Sequence, residues 1–226
     1  MDATRGLAPF RIEICGGIAS GKTTFARLFE DAATVLLEDF TSVPFWSAFC
    51  HSPTTYGLEA EISFLLQHYH QIKRHVLENP ARGLLVCDFS FSLDYAYSVV
   101  SLDERKREAF NAVYNEVIAD LGPPRLIVQL ACSPETQMRR IRARGRSVED
   151  RLTLGFLQSL NSAVGGPIAP AHLPRLAFDS ESTDFALDAE TRLQCKEDVL
   201  TRVGDRSSYG EEGGLERRGH SRDTNR

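Results

Sequence analysis

Eight residues near the start of the chain, Gly16-Gly17-Ile18-Ala19-Ser20-Gly21-Lys22-Thr23, constrain it more than any other stretch. The spacing GxxxxGK[ST] acts through the backbone: glycines let successive N–H groups turn towards one point, where they meet phosphate oxygens, and the helix that follows offers its positive end to the same charge. The lysine reaches the β- and γ-phosphates, and the threonine hydroxyl is a ligand for Mg2+. Gly16, Gly17, Ile18, Ala19, Ser20, Gly21, Lys22, Thr23 and the following Thr24 are therefore the expected set for a nucleoside triphosphate such as ATP. The flanks supply the context that the motif requires. Phe10-Arg11-Ile12-Glu13-Ile14-Cys15 alternates like a strand, and residues 22–33 carry Phe25, Ala26, Leu28, Phe29 and Ala32 at helical spacing.

The rest of the chain alternates strand and helix patterns. Short apolar runs at 34–37, 83–87, 125–131 and 173–178 read as strands, the first ending at Glu38-Asp39 and the second at Asp88. Helical patterns occupy 60–77, stopped by Asn79-Pro80, then a segment to 121 introduced by Ser101-Leu102-Asp103-Glu104, then one opened by Ser133-Pro134-Glu135, then 152–164 and 183–203. Pro44, Pro53 and Gly57 read as punctuation of a loop. Such alternation predicts an α/β fold, a parallel five-stranded sheet with helices on both faces in three layers. The expected domain is 1–203. Residues 204–226, rich in Gly, Ser and charge, are an expected disordered tail.

Charge and cysteines limit the partners. A net charge of −5 and a pI near 5.7 argue against nucleic acid as a partner. No apolar run approaches the roughly 18 residues of a membrane span, and the opening MDATRGLAPF lacks a secretory core, so no membrane and a cytoplasmic location are expected. Cys15, Cys50, Cys87, Cys132 and Cys195 form no CxxC pair and read as reduced thiols. A phosphate loop alone does not separate motors, switches and kinases. The chain lacks the NKxD guanine motif and the LSGGQ signature of transporter ATPases. It does carry an arginine run at 139–146, placed where small-molecule kinases have a lid that neutralises phosphate and excludes water.

With these features in place, the chain resembles the bacterial deoxynucleoside kinases of the deoxyadenosine/deoxyguanosine kinase type. The likeness is carried by IEICGGIASGKTTFARLFE, LLEDFTSVPFWSAFCHSPTTYGLEAEISFLLQHYHQIK, CDFSFSLD, RRIRARGRSVE and LGFLQSLNSAV, and spans residues 10–184. It implies a P-loop kinase fold with an arginine-rich lid. It also implies Mg2+-dependent transfer of the ATP γ-phosphate to the 5′-hydroxyl of a nucleoside substrate, in nucleotide salvage, and a homodimer. By resemblance Glu38 is the general base, with the neighbouring Asp39 as fallback, and Asp88 binds Mg2+ directly or through water. Lys22 with Arg140, Arg144 and Arg146 of the lid stabilises the transferring phosphate. Glu149 meets the sugar 3′-hydroxyl, and Asp94 and Glu61 face the base.

Four positions depart from the family pattern. Phe89 replaces an arginine that pairs with the base and the phosphate region; Cys50 replaces a tyrosine at the 3′-hydroxyl; His68 stands where a pocket arginine belongs; Glu61 replaces a glutamine. An ionised Glu61 offers only acceptors, which suits the N1–H and 2-amino donors of guanine. The expected activity is thus that of a purine deoxynucleoside kinase. A kinase of another small nucleotide or nucleoside, and a catalytically weakened nucleotide-binding regulatory protein, stand beside it.

Overall fold

The structure, a computed structural model, describes residues 10–79, 83–166 and 173–204. The first nine residues, Pro80 and all of the expected tail but Gly204 lie outside the described residues. Five parallel strands form one sheet: β1 (Arg11–Cys15), β2 (Thr34–Leu36), β3 (Leu85–Cys87), β4 (Leu126–Ala131) and β5 (Arg175–Asp179), in the order β2-β3-β1-β4-β5. The chain leaves β1 towards one edge and later crosses to the other. The sheet therefore switches direction beside the carboxyl end of β1, where α/β sheets bind ligands.

Alternation along the strands builds the two outer layers. Ile12, Ile14, Val86, Val128 and Leu130 pack on Phe25, Phe29, Cys195 and Val199 of one layer, which includes helices α1 (Lys22–Ala26) and α8 (Ala189–Gly204). On the opposite face Leu85 and Cys87 meet Leu65 and Ile72 of α3 (Pro53–Glu78), Phe91 of α4 (Phe91–Ser101) and Phe110 of α5 (Glu104–Leu121). Cys15 and Ile127 join Ile141 of α6 (Pro134–Arg144) and Leu157 of α7 (Leu154–Gly165). The polar members of β1 are buried too. Arg11 Nε pairs with Glu13 at 2.7 Å, Arg11 also donates to the carbonyl oxygens of Leu121 and Gly122, and Glu13 accepts the N–H of Phe91. The pair is hydrogen-bonded on every side, as a buried charge must be.

Several elements differ from the sequence reading. The helix expected over 22–33 stops at Ala26: a 3-10 turn, Arg27–Phe29, follows, and the N–H groups of Ala32 and Ala33 converge on Phe29 O. Tightening there keeps Phe25 and Phe29 in one core. Pro53 and Gly57 do not mark a loop. A short helix, α2 (Trp46–His51), precedes them, and Pro53 occupies the first turn of α3, where its missing N–H costs nothing. A Cβ at Gly57 would stand 3.0 Å from Leu102 Cδ2 and 3.2 Å from Ser101 Cβ, so this glycine permits close helix packing. Helix α4 has no counterpart among the expected elements; Ser90 caps it, accepting the Leu93 N–H at 3.1 Å. Asp103, rather than Ser101, caps α5. The last helix begins at Ala189 instead of 183: Asp184 holds a turn by accepting the Leu187 N–H, and Asp188 caps the helix by accepting the Thr191 N–H. Among the described residues, no helix is long and apolar enough to cross a membrane.

Candidate active site

A cleft of about 740 Å³ opens at the carboxyl edge of the sheet. It is lined by Lys22, Thr23, Glu38, Glu61, Asp94, Arg140, Arg144, Arg146 and Glu149, all singled out from the sequence. Ile18, Ala19, Gly21 and Thr24 of the phosphate loop line it as well. Gly16, Gly17 and Ser20 lie beneath, holding the loop against the body of the protein. A Cβ at Gly16 would come within 2.8 Å of Leu130 O, and one at Gly17 within 2.3 Å of Gln137 Nε2 and 2.6 Å of Asn161 Oδ1. Gly21 sits at φ 101°, where a side chain is strained. The loop is thus pinned from behind by β4, α6 and α7.

The donor set at this end suits a magnesium–triphosphate. Lys22 Nζ bridges the loop, donating to Gly16 O at 3.0 Å and Gly17 O at 3.2 Å. No side chain caps the start of α1, and its first turn has no acidic residue. Thr23 Oγ1 donates to Asp88 Oδ2 at 2.6 Å, and Asp88 Oδ1 accepts the Glu38 N–H at 2.5 Å. Burial pushes the Asp88 carboxyl above its usual range, against these hydrogen bonds. The described residues contain no cluster of three or more His, Cys, Asp or Glu able to hold a metal. The hydroxyl and carboxylate oxygens of Thr23 and Asp88 are the hard ligands that Mg2+ takes when phosphate oxygens and water complete its shell.

The arginines divide into two groups. Arg140 is anchored: its guanidinium donates to Ala19 O at 3.3 Å, Ser180 Oγ at 3.2 Å and Ser180 O at 2.7 Å. Arg144, the last residue of α6, and Arg146 flank Gly145, which is in a left-handed conformation, and both engage the buried Glu149. Arg144 Nε lies 2.8 Å from Glu149 Oε2. Arg146 also lies over the Phe40 ring, 4.2 Å from its centroid. Cys50 is buried close enough to Glu149 for that carboxylate, after burial itself, to help push its thiol up to about 12.

The other end of the cleft is walled by Trp46, Phe49, Phe64 and Tyr97. Trp46 stacks on Phe49 with centroids 5.5 Å apart, and Phe64 meets Trp46 edge-on. Glu61 lies in this wall, buried, accepting from Ser101 Oγ at 3.0 Å. Burial holds its carboxyl well above the usual carboxylate range. The guanine expectation assumed the ionised group; the neutral acid offers one donor and one acceptor, as a glutamine does.

Between the two ends stands a chain of three groups. His68 Nδ1 is 3.0 Å from Asp94 Oδ2, and His68 Nε2 is 3.2 Å from Glu38 Oε1. The ring stacks on Phe89, with centroids 4.0 Å apart and planes 5° from parallel. Burial alone would lower the His68 pKa, but Asp94 and then Glu38 outweigh it and raise it from 6.5 to about 10. Burial likewise pushes Glu38 up, and there His68, Lys22 and Arg146 prevail, holding it below its usual range. The deeper Asp94 stays raised by burial in spite of His68.

Asp39, the fallback base, is outside the cleft. It is exposed, and its carboxylate accepts from the N–H and hydroxyl of Thr41. The aromatic wall, Ser180 behind Arg140, and the joining of His68 to both acids are not among the features expected from the sequence. Glu61, Phe64 and His68 at three- and four-residue spacing on one helix were the available signal.

A model of the family described as deoxynucleoside kinase matches residues 12–205. A deoxyguanosine kinase of Bacillus subtilis (strain 168) is 26% identical over 191 residues, covering 80% of this chain and 91% of that protein. A deoxyadenosine kinase of Dictyostelium discoideum is 26% identical over 166 residues, 70% of this chain and 66% of that protein. The structure of a deoxyadenosine kinase from M. mycoides, with products dCMP and a flexible dCDP bound, superposes with a TM-score of 0.69 at 20% identity, covering 84% of this chain and 98% of that one.

Proposed function

The chain belongs to the deoxynucleoside kinase family, and from that membership we propose that it transfers the γ-phosphate of ATP to the 5′-hydroxyl of a purine deoxynucleoside. The observation that carries the reading is the one cleft that holds Lys22 and the arginines at one end, the Glu38 carboxylate between, and Glu61 with an aromatic wall at the other. Relatives named deoxyguanosine kinase and deoxyadenosine kinase support the purine assignment.

In this reading Lys22, Arg140, Arg144 and Arg146 hold the phosphates and balance their charge as the 5′-oxygen bonds to the γ-phosphorus and the bond to the β-phosphate oxygen breaks. Glu38 accepts the proton of the hydroxyl. Thr23 and Asp88 hold Mg2+, which screens the triphosphate charge when bound. Glu149 orders Arg144 and Arg146 and meets the 3′-hydroxyl; Asp94 and Glu61 face the base. Arg144 and Arg146, which lie beyond the anchored Arg140, form the closing lid. The five free thiols agree with a cytoplasmic location. A homodimer is part of the same proposal, and sedimentation of the full chain tests it.

A nucleoside panel with labelled ATP is the first experiment. Turnover of deoxyguanosine or deoxyadenosine supports the reading. Turnover confined to a nucleoside monophosphate or a modified nucleoside rejects the substrate, and intact ATP binding with no turnover makes the chain a non-catalytic nucleotide-binding partner.

A further inference from the structure

Glu38 and Asp94 bring two carboxylates to the middle of the cleft, with Asp88 bonded to the backbone of Glu38 beside them, yet the lining arginines and Lys22 lie at the phosphate end. One basic side chain stands between Glu38 and Asp94, and it is a histidine. His68 is 1% exposed and Asp94 4%. They come from α3 and α4, while Glu38 follows β2, so the three groups are joined only by the fold.

With Asp94 and Glu38 both ionised, the hydrogen bonds select one state of the ring. An ionised carboxylate only accepts, and a neutral imidazole carries a proton on one nitrogen alone. His68 faces an acceptor at each nitrogen, Asp94 Oδ2 at 3.0 Å and Glu38 Oε1 at 3.2 Å. Both contacts are satisfied at once by the doubly protonated, cationic ring. Its plane is clamped as well. Phe89 stacks on it at 4.0 Å, Phe91 meets it edge-on at 6.5 Å, and Phe64 packs at 5.9 Å. The axis between its nitrogens therefore points from Asp94 to Glu38.

We propose that His68 is a positioning residue for phosphoryl transfer: a fixed imidazolium, braced by Asp94 and Phe89, that takes one carboxylate oxygen of Glu38 and leaves the other for the substrate hydroxyl. This rests on Glu38 being the base. It differs from a histidine relay in that His68 passes no proton. Its charge stays in place through the reaction, and the Asp94 contact keeps it from leaving with Glu38. The charged groups around this line are Asp94 behind His68, with Glu61 facing Asp94, and Glu38 in front, with Asp88 beside it; Lys22 acts on Glu38 and Asp94, and Arg146 on Glu38, from the phosphate side. Holding a reacting group in its productive geometry is worth a large factor in rate, about 100-fold for a displacement near 1 Å.

Kinetics of His68→Gln and of the Glu38→Gln/His68→Gln pair test this. His68→Gln is expected to lower kcat by about 30-fold or more, as mispositioning of a reacting group does, with the KM for ATP little changed. Added to Glu38→Gln it should cost almost nothing further, because its effect passes through Glu38. An arginine at the stacked neighbour, in His68→Gln/Phe89→Arg, should recover part of the loss by returning a cation to the same carboxylates. A His68→Gln enzyme with unchanged kcat, or one whose loss adds in full to that of Glu38→Gln, overturns the proposal. Independently of any variant's folding, a histidine-selective 15N spectrum of the wild-type protein at pH 8 should show one ring with both nitrogens protonated; its absence also overturns it. Full turnover in Glu38→Gln alone would instead reject the base assignment itself.

Discussion

Thr23 and Asp88 stand 65 residues apart in the chain and 2.6 Å apart in the fold. One closes the phosphate loop, the other directly follows β3, and β1 and β3 are neighbours in register from Arg11 and Leu85 onward. The contact exists because a parallel sheet delivers both strand ends to the same edge.

Asp88→Asn keeps the shape but removes a charge. The Mg2+ concentration for half-maximal turnover is expected to rise by about 10-fold or more, in the range seen when support of a metal site is removed. Nucleotide binding without Mg2+ should be unaffected. Titrating Mg2+ in a turnover assay checks the first, and calorimetry in chelator the second.

Glu38→Gln should lower turnover by about 10²- to 10⁴-fold, the usual contribution of a positioned general base. The affinity for ATP should remain, since Lys22 and the arginines are untouched. Single-turnover measurement together with ATP titration separates the two.

Glu61 links base choice to pH. The neutral acid matches adenine through N6–H and N1, and guanine through N1–H and O6. The ionised form matches guanine alone. Because burial raises the Glu61 carboxyl well above its usual range, raising the pH should favour deoxyguanosine over deoxyadenosine progressively. In Glu61→Gln the ratio of kcat/KM for the two nucleosides should be flat with pH. A ratio equally flat in the wild type would remove Glu61 from base recognition.

His68 also ties stability to pH. Its folded-state pKa is raised, from 6.5 to about 10. The folded state therefore holds the proton more tightly than the unfolded state. That contribution is complete below pH 6.5 and is lost as the pH climbs towards about 10. Urea unfolding across this window should show the wild type losing its advantage over His68→Gln as the pH rises. A constant difference would contradict a charged ring.

How much of this was legible in the sequence depends on how local the physics is. The phosphate loop acts through contiguous backbone, so its eight residues announce it. The arginine run is similarly local, and the strands are short apolar runs bounded by turns. Helix α4 was hidden because FSLDYAYSVVS is buried on most sides, which erases the amphipathic period. The start of α3 was hidden because proline in a first turn reads the same as proline in a loop. Glu38 and Asp39 are adjacent carboxylates, and only the backbone after β2 decides that one lines the cleft while the other caps residues 40–42. The His68 bridge draws on three separate elements, and no spacing along the chain encodes it.

Arg140 is held by three oxygens of the protein itself, from the phosphate loop and from Ser180 after β5. Its side-chain freedom is lost once, at folding, and need not be lost again in each catalytic cycle. On the proposed function, only Arg144 and Arg146 would remain to be recruited, by exchanging Glu149 for phosphate. The proposed lid would then behave as a short arm fixed at the shoulder. Its closure would be a trade of one anion for another rather than an ordering of loose chain, a trade expected to be fast in both directions.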